Sequence, residues 1–419
     1  MKIGILYGQK LTPERDMRHP ELGNPGVGGT QFCIGMLVRY LSEYEEYRIT
    51  VYQYNDTIFP EKVKIKKIEN FEQALQDASD QDAFICVQPE ILEDYHAMSR
   101  AACKIVLWVH SPFKEGEAAK VADCANIKRV VFVGRQQYDQ YIDHRICKKA
   151  TYVFNMFYGK LAQYQRKDDY EKIVTYMGSI IPSKGFHILA EQWKKIVEQV
   201  PDAELYVIGS GSLYSKGARL GEYGIADSEY EKRFVPYLTG EQGKILNSVH
   251  FCGVLGQEKY EIFNKTAVGI INPSACTETF GLSAVEMEAC GIPIVTKAKN
   301  GLLDTVRHHE TGLMYHKEKK LADDVIRLLQ DRKLNQTLGK NAQKFVCDAF
   351  DPEKLTKEWM KVLEEVKMDV PAVYQKPTGF FSNQGKWLRI INRRIQVVFG
   401  TEKSLGEIKA VIKKCVGKK

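Results

Sequence analysis

At 419 residues, 44% apolar and 27% charged, the chain has the balance of a water-soluble globular protein and more length than one ordinary core can use, so two domains are expected. The formal charge of +7 is uneven: residues 376–419 carry eleven Lys/Arg against Glu402 and Glu407, putting that tail at +9 and the remainder at −2. A near-neutral body excludes nucleic-acid binding by charge, and no apolar run approaches the ~18–20 residues that span a bilayer. Ten scattered cysteines without a C-x-x-C pair fit a reduced, cytoplasmic protein and neither a metal nor a disulfide framework.

Short apolar runs alternate with helical stretches, the pattern of βαβ units and parallel sheets. Residues 1–10 lack a signal peptide's apolar core and read as a first strand at 2–7. Residues 23–30, GNPGVGGT, then lead into a helix beginning near Thr30 or Gln31. Such glycines let the backbone approach a diphosphate, although the run is neither a P-loop nor a G-x-G-x-x-G fingerprint. Further strands are expected at 48–54, 83–87, 104–109, 129–133 and 151–154. Asp80 and Asp82 precede the strand at 83–87, at its amino end and so at the wrong edge for ligands; no metal is expected there. His110 stands at the carboxyl end of the strand at 104–109, ahead of Ser111 and Pro112, a ligand-facing place for a residue that is more often structural.

The polar stretch 158–171 reads as a linker, and strands resume at 172–177, 204–208, 248–252, 267–271, 293–296 and 312–316. Residues 176–185, YMGSIIPSKG, form a strand, a loop and the start of a helix, where Lys184 can neutralise a leaving diphosphate. Residues 209–236 form a connection longer than usual, read either as an acceptor-side element or as a surface insertion. His187, His308 and His309 read as solvated. Residues 319–331 and 352–368 read as amphipathic helices.

The most informative stretch is 272–315, with Glu278 and Glu286 separated by seven residues, Phe280-Gly281 after the first and Gly-Ile-Pro after the helix that carries the second. Glu278 falls in a strand-to-helix loop at a carboxyl edge, and the amides of Phe280, Gly281 and Leu282 open the helix as donors for a phosphate or a sugar hydroxyl. The run Glu-x-Phe-Gly, Glu, Gly-x-Pro, then Gly301 and Thr311-Gly312, resembles the donor-binding signature of the retaining family-four glycosyltransferases. That resemblance covers roughly residues 1–370. It implies the GT-B fold: an α/β protein of two Rossmann-like domains with parallel sheets facing across a cleft. The expected division is 1–160 for the acceptor side, 172–350 for the donor side, a helix at 351–370 and a tail at 371–419.

The resemblance also implies roles. Glu278 would hold hydroxyls of a donor sugar, Glu286 the ribose of its nucleotide, Lys184 the diphosphate, Gly28 and Gly29 the same diphosphate through their backbone, and His110 would lie near the donor sugar. Ser179 stands where the family has a phosphate-binding arginine, which leaves Arg135 or Lys297 to supply the second cation. The implied reaction moves a sugar from a nucleotide sugar to a hydroxyl, on a sugar or lipid-linked glycan acceptor, with retention of configuration and without a metal or cofactor. An epimerase or hydrolase of the same fold, or a non-catalytic nucleotide-sugar-binding subunit, remains open; a phosphorylase would need a pyridoxal lysine site that is not identified. The tail interleaves apolar and basic residues, which suits either an anionic membrane surface on the cytoplasmic side or a helix packed on the first domain.

Overall fold

The structure is a computed structural model that describes residues 1–8, 12–89, 92–158, 165–211, 219–377 and 385–416. Two compact units divide it: residues 1–20, 30–156 and 352–419 form the first, and residues 21–29 and 157–351 the second. The glycine-rich run, expected in the first domain, is a piece of the second unit through its residues 21–29.

The first unit holds strands β1 (Lys2–Tyr7), β2 (Arg48–Gln53), β3 (Lys64–Lys67), β4 (Ala83–Val87), β5 (Ile105–Val109), β6 (Ile127–Phe132) and β7 (Ala150–Tyr152). All pair in parallel, in the order β3-β2-β1-β4-β5-β6-β7. Every residue of β5 is buried, which is why the inner strands read as unbroken apolar runs: a parallel sheet is covered on both faces. At the edge, β3 carries three lysines around one isoleucine and has no apolar signature, so it escaped the sequence reading; charged residues blunt such an edge against foreign pairing. Helix Pro352–Lys367 packs in this unit, where the fully buried Trp359 meets Trp108 edge-on with centroids 4.7 Å apart.

The second unit holds β8 (Ile173–Met177), β9 (Glu204–Ile208), β10 (Val249–Gly253), β11 (Thr266–Ile270), β12 (Ile294–Lys297) and β13 (Gly312–Tyr315), parallel in the order β10-β9-β8-β11-β12-β13. Helix Phe186–Gln199 buries Phe186, Leu189, Ala190, Trp193 and Ile196, one stripe at helical spacing. The connection at 209–236 is less irregular than its composition suggests: its second half is helix Ser228–Leu238, capped by Asp227, whose side chain accepts the Glu229 amide. Pro236 lies inside that helix, and a proline is read as a break when only the sequence is in hand. Residues 212–218 lie outside the described residues. From 165 to 171 the supposed linker is tied down, with the Arg166 amide donating to the Cys290 carbonyl at 2.9 Å and its guanidinium to Asn335 at 2.6 Å.

In this second sheet the chain leaves β8 toward β9 on one side, while β11 begins on the other. Loops from β8 and β11 therefore part at their carboxyl ends and leave a crevice, the usual ligand position in an open α/β sheet.

Candidate functional site

The loop after β11 is held in a conformation that it would not choose alone. Asn272, Ala275 and Thr277 have φ of 39°, 50° and 57°, a left-handed run that costs a β-branched residue most. Side chains fasten it: Asn272 Nδ2 donates to the Cys276 carbonyl at 3.2 Å, Ser274 Oγ to the Ser183 carbonyl at 2.6 Å, and Asn300 Nδ2 to the Ala275 carbonyl at 2.9 Å. Gly281 ends the loop at φ 94°, where a Cβ would stand 2.8 Å from Leu302. Helix Leu282–Ala289 begins at once, with its first amides toward the crevice.

This strained loop delivers Glu278. Its carboxylate accepts from Lys184 Nζ at 2.7 Å and from Asn272 Nδ2 at 2.9 Å. Burial alone would raise its pKa, but the Lys184 charge and the hydrogen bonds from Lys184, Asn272 and the Gly281 amide outweigh that, and the net shift is downward. Glu278 is therefore an anion held ready. Lys184 reaches it because Gly185 lets the β8 loop press against the other: at φ 70°, its Cβ would lie 2.6 Å from the Ser274 amide nitrogen.

Glu286 is matched in the same way. Lys259 Nζ lies 2.9 Å from its carboxylate, both side chains being only 4% exposed, and Tyr260 donates its hydroxyl to the same oxygen at 2.7 Å. Burial, then the Glu286 charge, pushes the Tyr260 hydroxyl well above its ordinary pKa, so it stays a neutral donor. Lys259 also donates to the Asn24 carbonyl at 3.0 Å, and Asn24 Oδ1 accepts the amides of Gly26 and Val27. The glycine-rich run is thus a turn organised by Asn24 and docked on Lys259.

One cavity gathers Gly28, Gly29, Ser179, Lys184, Lys259, Glu278, Gly281, Leu282 and Glu286. Phe280 is not in its wall; its ring is buried against Phe350 with centroids 5.2 Å apart. His110 belongs to the first unit, half-buried and tilted against Trp108, where burial lowers its pKa to about 3 and keeps the imidazole neutral.

Lys259 and Tyr260 went unnoticed in the sequence, where no motif marks them, and Asn24 was passed over within the glycine-rich run. The two cations considered in place of the arginine at Ser179 are engaged elsewhere. Lys297 pairs with Glu318 at 2.6 Å, and Arg135, in the first unit, lies over the Phe154 ring at 5.4 Å. Lys259 is the second cation of this cavity.

One more residue differs from expectation. His187 is half-buried rather than free in solvent: its ring bonds the Tyr230 hydroxyl at 3.0 Å and Arg233 at 2.8 Å. On helix Leu282–Ala289, Glu288 is fully buried, and burial drives its carboxyl well above the usual range against weaker opposing effects from Thr311 and Arg307. Asp80 and Asp82 stand at the amino edge, engaged by the Lys2 ammonium at 3.0 Å and the Lys2 amide at 2.8 Å.

Residues 159–345 match the family model described as Glycosyl transferases group 1. The capsular polysaccharide biosynthesis glycosyltransferase CapM of Staphylococcus aureus is 28% identical over 188 residues, 44% of each chain. The N-acetyl-alpha-D-glucosaminyl L-malate synthase of Bacillus anthracis is 24% identical over 228 residues, 52% of this chain and 53% of its own. The chain thus spans about half the length of the curated relatives it matches. Among solved structures, Anabaena HepE in complex with UDP superposes with a TM-score of 0.63 at 17% identity, over 87% of this chain and 100% of that one. The sucrose-phosphate synthase of Thermosynechococcus elongatus gives 0.63 at 16%, over 87% and 98%. The fold is GT-B.

Proposed function

We propose, from the match of residues 159–345 to the family model of the glycosyl transferases group 1, that the chain is a glycosyltransferase that moves a sugar from a nucleoside diphosphate sugar to a hydroxyl. The observation that carries this reading is the pairing of both glutamates with lysines around one cavity, Lys184 with Glu278 and Lys259 with Glu286. A buried ion pair is costly to assemble and gains stability only if its geometry is good. Here it keeps two anions and two cations in place before any ligand arrives. A donor can use all four: hydroxyls of the sugar and the ribose donate to Glu278 and Glu286, and the diphosphate meets Lys184 and Lys259.

The diphosphate also approaches the Gly28 and Gly29 backbone and the amides at Gly281 and Leu282. As the bond from sugar to phosphate breaks, charge grows on the leaving oxygen. Two lysines already fixed there meet a diphosphate that is anionic before reaction, and they stabilise the further charge of the leaving group more than the ground state, which is the condition for lowering the barrier. Lys259 thereby stands in for the arginine missing at Ser179. The acceptor hydroxyl attacks from the face that the phosphate leaves, and the phosphate accepts its proton, so configuration is retained and no metal is called for. UDP and UDP-glucose, bound by the Anabaena protein in its crystal structures, are the first donors to try. The polysaccharide role of the Staphylococcus relative points to a glycan acceptor.

Thermal stabilisation across a panel of nucleotide sugars tests the reading, since a ligand that binds only the folded state raises Tm. One or a few donors should stabilise the chain, and Glu278→Ala and Lys259→Ala should each erase the shift. A panel with no stabilising member, or variants that keep the shift, would overturn it. Acceptor-dependent release of the nucleoside diphosphate separates transfer from hydrolysis and from simple binding.

A further inference from the structure

Helices Lys386–Phe399 and Leu405–Val416 close the first unit with their amphipathic sense reversed. Polar side chains turn inward: Lys386 pairs with Asp139 at 2.7 Å, both almost fully buried, and Asn392 donates to Asp143 Oδ2 at 2.8 Å. The Leu405 amide donates to the same carboxylate at 2.7 Å, and Gln396 to the Asp143 carbonyl. Apolar side chains are what solvent meets, with Leu388, Ile391, Ile395, Val398 and Phe399 between 45% and 73% exposed. An amphipathic helix ordinarily stays on a protein by burying that face. Charge and hydrogen bonds hold this one, and the apolar face is left outward.

The surrounding charge says what covers it. Both acids of the tail are engaged by cations of the same unit, Glu402 by Lys148 at 2.6 Å and Glu407 by Arg145 at 2.9 Å. Arg394 and Lys409 are exposed on the two helices and Lys403 on the connection between them. Beside Val397 and Gly400 a cavity is lined by Arg145, Lys148 and Arg393, of which Arg145 is also paired with Asp123 at 2.9 Å, so these side chains fasten the tail to the unit. A second copy of the chain would bring like charges face to face, whereas an anionic surface meets them with the opposite sign.

We propose that this face docks on an anionic membrane, with Leu388, Ile391, Ile395 and Phe399 among the acyl chains and the exposed Arg394, Lys403 and Lys409 at the lipid phosphates. No helix among the described residues is long and apolar enough to cross a bilayer, so the contact is peripheral.

Vesicle sedimentation of the full chain, without any donor, tests this apart from the glycosyltransferase reading. Vesicles containing phosphatidylglycerol should bind at least about tenfold more tightly than pure phosphatidylcholine, and added salt should weaken the binding. Trp387 emission should shift to the blue on binding; Trp108, Trp193 and Trp359 are no more than 1% exposed and contribute little change. The pair Ile395→Ser and Phe399→Ser, on the outward face, should cut partition at least about tenfold with the circular dichroism unchanged. Arg394→Glu should cost roughly fivefold or more. Absent or lipid-indifferent binding overturns the proposal. So does a concentration-dependent dimer that the double variant dissolves, since a second copy would then cover the face.

Discussion

The donor cavity and the carboxyl-terminal helices handle charge in opposite ways. In the cavity the side chains of Lys259 and Glu286 are only 4% exposed, and Lys184 and Glu278 are 25% and 13% exposed, yet all four line open space. Between the tail and its unit, Lys386 and Asp139 are buried just as deeply with no ligand to wait for; they are a fastening. A buried ion pair is therefore not a functional sign in itself. What separates the two is that both cavity pairs line the crevice at a switch point, with Glu278 on backbone strained at Asn272, Ala275 and Thr277, whereas the tail pair lines no such opening and only joins one helix to another.

That contrast breaks most directly at Glu278. Glu278→Ala should lower transferase turnover by about 10²–10³-fold, the range for removing one electrostatic contact to the reacting group, while leaving vesicle binding unchanged. Initial rates on the donor found by the thermal screen measure it. A smaller step should follow in stability. Lys259→Met and Lys386→Met each strand a buried carboxylate and should each cost about 3–5 kcal/mol in urea unfolding. Removing both members distinguishes them further: Lys386→Met with Asp139→Leu should recover most of the loss, and Lys259→Met with Glu286→Leu should recover stability but not donor binding.

pH gives the next size of effect. The folded-state pKa of Glu278 lies below its ordinary value, so the stability it contributes is present above the ordinary carboxylate range and is lost as pH falls through the folded value. Glu278→Gln should flatten the acid limb of the stability curve. Glu288 has the opposite sign: its folded pKa is raised, so its cost grows as pH climbs toward that value. Glu288→Gln should remove the fall in stability that sets in above the ordinary carboxylate range, measured as the pH dependence of urea unfolding. Smallest of all is the exposed pair Lys67–Asp56, where Lys67→Ala should change stability by less than about 1 kcal/mol.

Much of the cavity was legible in the chain because its signals are local. Glu278, Phe280, Gly281 and Glu286 lie within nine consecutive residues across one strand-loop-helix junction, and Lys184 precedes a glycine at another. Phe280 shows where a local signal stops: its ring belongs to the core against Phe350, and only its neighbours line the cavity. Lys259 was illegible because it lies 27 residues before Glu286, and only the packing of helix Lys259–Phe263 brings them together. The tail misled in a different way. Its amphipathic pattern was plain, but a pattern gives the angle between two faces and not which face meets the protein.

By itself the sequence determined the strand and helix alternation, the edge on which Glu278 stands and the concentration of charge in the tail. Periodicity, turn chemistry and composition are properties of neighbours along the chain. Tertiary structure alone decided that each cavity glutamate has its own lysine, that residues 21–29 belong with the second unit, and that the tail turns its polar side inward. Those outcomes depend on which distant groups can satisfy one another once water is removed, and a buried charge or amide without its partner costs more than the burial of several apolar groups returns.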